Sequence, residues 1–240
     1  PTVDYILVPV GGGGPCTGVS TLAKLLNPKI KVIAVEPTGA ACLKASLEAG
    51  EVTTVSKINT IADGTAVQTP GDKLFPYLQA NVDQVITVDD SELTLSFLDM
   101  AENHKMIVEN SGLLTVAALK HLDFKGKKVV SVLSGGNMDV LTMATVVQNG
   151  LMQRDRIFTV SVMLPDKPGQ LAAVSALIAK EQGNVIKLEH NVFANVNRAA
   201  GVELTITLES FGTEHKDQII KALETAGYCP VISKTSGIYM

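Results

Sequence analysis

The chain lacks most of what marks a specialised environment. Its three cysteines, Cys16, Cys42 and Cys229, are widely spaced and odd in number. That fits neither a disulfide framework nor a zinc site, and they read as reduced thiols. No run of Lys or Arg stands out and the net charge is -4, so neither nucleic acid nor an anionic membrane is expected as a partner. No uninterrupted apolar stretch reaches the roughly 18 residues of a spanning helix. The opening PTVDYILVPV has no basic segment of the kind that starts a secretion signal. The expected location is the cytoplasm. The histidines His104, His121, His190 and His215 share no metal-ligand spacing. An initiator Met is absent too: Pro1 stands almost directly in a core strand, and the chain is expected to be cut from something longer.

What is present is an ordinary globular composition, 240 residues with 46% apolar and 18% charged, enough for two domains. Up to Gly150 strand and helix alternate, which predicts an α/β fold with an open, mostly parallel, doubly wound sheet. The predicted strands are Tyr5 to Val10, Lys31 to Glu36, Gln84 to Val88, Met106 to Glu109 and Lys128 to Leu133. Several are unbroken apolar runs, as a sheet covered on both faces requires. Predicted helices fill the gaps at Gly18 to Leu26, Ala40 to Ala49, Asp90 to Asn103, Gly112 to Leu122 and Met138 to Asn149. Asp89 with Glu92 three residues on is a capping-box start, and Gly50 and Gly150 are stop signals.

Composition shifts at LMQRDR, residues 151–156, which places the domain boundary at 150/151. Beyond it the pattern predicts strand Ile157 to Leu164, helix Gln170 to Gln182, strands Asn184 to Phe193 and Gly201 to Glu209, helix Glu214 to Ala226 and strand Pro230 to Thr235. That βαββαβ order is the ferredoxin-like split unit. Val202, Leu204, Ile206 and Leu208 alternate with Glu203, Thr205, Thr207 and Glu209, so the sheet has one buried face and one wet or partner-facing face.

The chemistry is concentrated where Tyr5 to Val10 meets Gly11, Gly12, Gly13 and Gly14 and then the apolar helix GVSTLAKLL. Glycines can take φ > 0, so successive N–H groups converge on one concave point that the following helix makes electropositive. The expected occupant is an anion such as a phosphate. A flexible linker is the plain alternative, but linkers join polar segments. A dinucleotide loop needs G-x-G-x-x-G, and its last place falls on Cys16 or Thr17. Glu36 does stand where a ribose-binding acid would, about 20 residues on, so a dinucleotide-binding domain stays open as a weaker alternative.

VPVGGGG, VEPTGAACLKASLEAG, IADGTAV, VENSGLLTVAAL and VLSGGNMDV occur in this order. Together they resemble the carboxy-terminal half of the pyridoxal-phosphate-dependent threonine and serine dehydratases, with serine racemase a close cousin. The resemblance runs from Val3 to about Gly150. It implies pyridoxal phosphate as cofactor, with its phosphate in the cradle of Gly11 to Gly14. Pro15 stands where the family usually has a residue with a free N–H, so one phosphate contact is expected to be missing. Ser134 would hydrogen-bond the pyridine nitrogen, Glu109 would lie near the ring, and Asp63 and Gly64 beside the substrate. Read from the residues alone, Ser134 starts a strand-to-helix turn capped by Asn137, Glu109 is a charge at a helix start, and Asp63-Gly64 is a turn. Glu36 with the Ala40 carbonyl resembles a cation site of the family. Cys42 replaces the carboxylate that serine racemase has there, so a monovalent ion is expected rather than a divalent one.

The family's Schiff-base lysine lies upstream of the glycine loop in a Ser-x-Lys context that this chain does not contain. Lys24, Lys44, Lys57 and Lys73 sit in amphipathic or loop settings typical of surface lysines. No residue here is assigned as catalytic, and the chain alone is expected to be inactive. DKPGQL resembles the turn of the ACT domain appended to some threonine dehydratases. That resemblance implies an amino-acid effector at Asp166, Gly169, Gln170 and Leu171. The resulting expectation is a threonine or serine ammonia-lyase that forms a 2-oxo acid and ammonia, assembled as a dimer or tetramer and regulated through its second domain. A separate amino-terminal segment is a further expected partner. The alternative is a non-catalytic amino-acid-binding or assembly fragment.

Overall fold

The computed structural model describes residues 2–191 and 201–233. They divide into two compact units, Pro1–Val147 and Gln148–Met240. The division falls inside helix α6 (Val140–Gln153), so the composition change at 150/151 lies within a helix rather than in a linker.

In the first unit, strands β1 (Tyr5–Pro9), β2 (Lys31–Pro37), β3 (Gln84–Val88) and β4 (Val129–Ser131) form one parallel sheet in the order β3-β2-β1-β4. Side chains alternate across a strand, and here both sides are covered. Leu7, Ile33 and Val35 pack on one face with Leu93, Phe97, Leu113 and Leu114. Val8, Val32 and Ala34 pack on the other with Ala23, Leu43 and Leu78. The helices involved are α1 (Gly14–Leu26), α2 (Cys42–Ala49), α3 (Phe75–Asn81), α4 (Asp90–Asp99) and α5 (Asn110–Ala117). The start of α4 is as expected, with the Glu92 side chain accepting the Asp89 N–H at 2.9 Å, and Gly50 closes α2 at φ 76°. α4 continues as a π-turn over Met100–His104, and Lys105 ends it at φ 57°.

Three points of the sequence reading need correction. Gly150 does not stop a helix, since α6 runs through it to Gln153. The segment Met106 to Glu109 is not a strand, because its backbone has no ladder partner: Met106 N–H closes the preceding helix onto Met100 O, and Glu109 N–H points to Gly135 O. α3 has no counterpart in the sequence reading. It is short, Pro76 stands in its first turn, and only Phe75 and Leu78 are buried, so its apolar period is too brief to register.

The second unit has β5 (Ile157–Leu164), α7 (Gln170–Lys180), β6 (Asn184–Asn191), β7 (Val202–Glu209), α8 (Thr213–Thr225) and β8 (Val231–Ser233). The sheet is antiparallel in the order β6-β7-β5-β8, the ferredoxin-like arrangement. The expected strand ends at Phe193 and Thr235 lie outside the described residues. Leu204, Ile206 and Leu208 are fully buried against Val174, Ile178, Ile219 and Leu223 of the two helices. On the other face the hydroxyls of Thr159 and Thr207 pair at 3.0 Å, so that face carries a polar cross-strand contact at its centre.

Candidate cofactor and substrate site

Past β1, Val10 donates its N–H to Val35 O at 2.9 Å, and the chain turns through the glycines into α1. Gly13 is the N-cap at φ 96°, a left-handed conformation suited to glycine, and a Cβ there would lie 2.8 Å from Leu78 Cδ1. Gly11 leans on the turn Asp63–Thr65: an added Cβ would come 3.0 Å from Thr65 Cα and 3.3 Å from the Gly64 carbonyl. The Gly12 carbonyl accepts Gly71 N–H at 3.0 Å. Because the peptide is trans, the Gly13 N–H points the opposite way. Around Gly12 and Gly14 the space is open, with no heavy atom within 4 Å of where a Cβ would stand. The amides of Gly14 and Cys16 belong to the first turn of α1, where helix geometry supplies no acceptor and the dipole is positive. Pro15 adds no donor. At Gly12 and Gly14 neighbouring side chains therefore leave the cradle open, which is the room a phosphate would need.

On the far side of the Asp63–Thr65 turn, glycines let other segments close in. A Cβ on Gly64 would lie 2.9 Å from Ser111 Oγ and 3.2 Å from Glu109 Oε1. Gly135, at φ 79°, packs against the Glu109 carboxylate so tightly that any side chain would collide with it. Gly112 meets the Ser134 carbonyl in the same way. Glu109 is the N-cap residue of α5, with extended backbone at φ -64° and ψ 156°. Asp63, Gly64, Glu109, Asn110, Ser111 and Asn137 contribute to the wall of a cavity of about 400 Å³.

Of the residues read from the sequence, Asp63, Gly64 and Glu109 share this cavity, and Gly11 reaches the same turn from the cradle. Ser134 is half-buried behind Gly112 and does not belong to the lining. Asn110 and Ser111 also line the wall, as do Ile61, Met138, Asp139 and Thr142, and the sequence does not single them out as site residues. The one sequence signal of Asn110 and Ser111 is their place in the first helical turn after Glu109.

Glu36 sits elsewhere. It is fully buried at the end of β2, where Oε1 accepts Leu43 N–H at 2.7 Å and Oε2 accepts Lys44 N–H at 2.9 Å. Burial pushes its carboxyl up to about 7, and the two amides with the Cys42 thiol pull it back only part of the way. Burial, with Glu36 alongside, lifts the Cys42 thiol to about 12. With both oxygens engaged inside the protein, Glu36 is not offered to a ribose, and the dinucleotide reading loses its acid. Ala40 is buried in the 3₁₀ turn just before α2. Among the described residues, no three or more His, Cys, Asp or Glu side chains gather as a metal site.

In the second unit, Asp166 and Gly169 are exposed, with Gly169 the left-handed N-cap of α7 at φ 89°. Gln170 is half-buried and Leu171 packs on the sheet core. A cavity of about 610 Å³ lies at the other end of α7, between Lys180–Gln182 and Phe211–His215. Among the described residues no helix is long and apolar enough to cross a membrane.

Comparison with known proteins agrees with the geometry. The chain is 37% identical over 231 residues to an L-threonine ammonia-lyase of Geobacter sulfurreducens, spanning 95% of this chain and 57% of that protein. It is 32% identical over 236 residues to the biosynthetic L-threonine dehydratase of Escherichia coli, spanning 95% and 44%. The chain thus spans about half the length of the curated relatives it matches. Among solved structures, the processed form of threonine deaminase isoform 2 from Solanum lycopersicum superposes with a TM-score of 0.59 at 32% identity, over 62% of this chain and 44% of that one. Serine racemase from Dictyostelium discoideum gives 0.53 at 42% identity, over 57% and 45%. Residues 1–135 match the family described as pyridoxal-phosphate dependent enzyme, and with the open glycine cradle in place the chain belongs to that family.

Proposed function

We propose that this chain works within a threonine or serine ammonia-lyase, where it supplies the phosphate cradle and one wall of the site for α,β-elimination to a 2-oxo acid and ammonia. The observation that carries this reading is that the Asp63–Thr65 turn joins an open glycine cradle on one side to Glu109 and a cavity on the other. The similarity to threonine ammonia-lyases over 95% of the chain supports it.

When bound, pyridoxal phosphate supplies the electron sink that makes the Cα proton of an amino acid removable. The amides of Gly11 to Gly14 and of the first turn of α1 would hold its phosphate. Glu109 would lie near the ring, and the Ser134 hydroxyl is the neutral partner left for the ring nitrogen, a role that its place outside the cavity lining weighs against. Asp63 and Gly64 would border the substrate. The group that removes the proton would come from polypeptide outside this chain. Glu36 and the Ala40 carbonyl are the oxygens left for a monovalent cation, a role that the two amide bonds already on Glu36 weigh against.

The test is an assay of the complete polypeptide with threonine and serine in the presence of cofactor. Release of 2-oxobutanoate or pyruvate with ammonia is expected, and its absence would sink the reading. The 240-residue chain by itself should bind pyridoxal phosphate, seen as a fluorescence change. Borohydride treatment should leave its mass unaltered, since no lysine here would be linked to the cofactor.

For the second unit, the β6-β7-β5-β8 order and the exposed Gly169 turn favour an ACT-like regulatory domain over residues 151–240 that takes an amino acid at Asp166, Gly169, Gln170 and Leu171. A ligand carboxylate would meet the N-terminus of α7. Regulation would follow from unequal affinity for two quaternary states of a cytoplasmic homo-oligomer. Calorimetry with isoleucine, valine, threonine and serine tests this: heat that Gly169→Val abolishes is expected, and silence across the panel counts against it. Binding without any elimination by the complete polypeptide would favour a non-catalytic amino-acid-binding role instead.

A further inference from the structure

Asp90 opens α4, yet its carboxylate serves a different part of the fold. Oδ1 accepts the Thr60 hydroxyl at 2.7 Å, and Oδ2 accepts the Ile61 N–H at 3.1 Å. The Thr60 oxygen in turn accepts the Ala62 N–H at 3.1 Å. The Ile61 carbonyl accepts Asn110 Nδ2 at 3.0 Å. The Ala62 carbonyl holds Thr65 through its N–H and its hydroxyl, each at 3.0 Å. One carboxylate thus organises the three residues from which the Asp63–Thr65 turn hangs.

We propose that Asp90 is a positioning residue of the candidate site, setting through Thr60, Ile61 and Ala62 where the Asp63–Thr65 turn stands between the glycine cradle and Glu109. Between the end of α2 and the start of α3 that turn is the only regular element, so no sheet ladder fixes it. Hydrogen bonds to an ionised carboxylate are about twice as strong as neutral ones, which suits one side chain to the task. The helix does not need this carboxylate for its own start, since Asp89 and Glu92 complete the capping box. Asp90 itself lies outside the cavity lining and acts only through the turn. The positioning claim stands on geometry alone, whereas its effect on cofactor affinity rests on the function proposed above.

Hydrogen exchange on the ligand-free chain tests the first part, read at the bonded amides of Thr65, Ala66 and Val67. Asp90→Ala and Thr60→Val should speed exchange there about tenfold or more, because each loses a bond that holds the turn closed. Thr60→Ser keeps the hydroxyl and should exchange like the parent. Asp89→Ala weakens the same helix at its cap and should leave these amides unchanged. Parent-like exchange in both Asp90→Ala and Thr60→Val, or equal acceleration in Asp89→Ala, would overturn the proposal. If Asp90→Ala does not fold, the Thr60→Val and Thr60→Ser pair decides. Titration with pyridoxal phosphate should show weaker binding in Asp90→Ala and Thr60→Val, and parent affinity in Thr60→Ser. Accelerated exchange with unaltered affinity would break the link to the site. A parent chain that binds no cofactor would defeat the functional reading and leave the exchange result to judge Asp90.

Discussion

The Glu36 carboxylate accepts the backbone N–H of Leu43 at 2.7 Å, so a group with no solvent exposure caps a helix seven residues along the chain. Capping from outside satisfies first-turn amides that α2 cannot satisfy itself, since its own N-cap is Ala41. The cost is a buried acid whose carboxyl is raised from 4.5 to about 7.

That shift fixes a pH dependence. With the folded value above the unfolded one, the folded state holds a proton that the unfolded chain has released. The contribution is fully present below pH 4.5 and lost as pH rises through about 7. Urea unfolding at a series of pH values should show the parent losing on the order of 3 kcal/mol more than Glu36→Gln across that window. Parallel pH profiles for the two proteins would refute this.

Gly12 and Gly13 should respond to alanine in opposite ways. At Gly12 a Cβ meets nothing within 4 Å, so Gly12→Ala should unfold within about 0.5 kcal/mol of the parent. The methyl would nonetheless stand in the opening of the cradle and weaken pyridoxal phosphate binding. At Gly13, φ 96° and the Leu78 contact should cost about 1–2 kcal/mol of stability. Full affinity in Gly12→Ala would mean that the cofactor phosphate sits elsewhere.

How far the sequence could be read depended on whether the controlling interaction was local. β3 and β5 fall on the residues expected, because Gln84–Val88 and Ile157–Leu164 are short β-forming runs. Met106 to Glu109 likewise carries β-formers, Ile107 and Val108, but a strand also needs a neighbour, and which segment lies alongside is a property of the whole fold. The glycine cradle was legible because four glycines between strand and helix form a local signature. The Asp90 to Thr60 bond was not: it joins residues 30 apart, one inside a helix and one in an irregular loop. Glu36 was read as an acid at a strand end, and only the packed structure shows both of its oxygens facing α2.

Gly135 and Glu109 are coupled by contact. Gly135→Ala carries two penalties, a left-handed φ of 79° and a collision with the Glu109 carboxylate, and should lose about 2–4 kcal/mol. In a Glu109→Ala background the collision disappears and only the backbone strain of about 1–2 kcal/mol remains. A double-mutant cycle by thermal or urea unfolding should therefore show partial rescue. Strictly additive losses would mean that the two residues are not in contact.

Asp83 contributes to the acid side of the stability profile. Its carboxylate takes Lys24 Nζ at 2.6 Å, Lys31 Nζ at 2.9 Å and the Val32 N–H at 2.8 Å, tying α1 and β2 to the start of β3. Burial alone would raise its pKa, but the bonds from Lys24, Lys31 and Val32 outweigh that and hold it below 3.8. A depressed folded value means that the stabilisation is present above pH 3.8 and lost as pH falls through the folded value. Because the pair with Lys31 is solvent-exposed, Asp83→Asn should cost only on the order of 1 kcal/mol at neutral pH. The two carboxylates therefore bend the profile in opposite directions. Glu36→Gln should extend the stability optimum upward in pH, and Asp83→Asn should flatten part of the acid loss. Finding both variants with the parent's optimum would show that neither group governs the pH response.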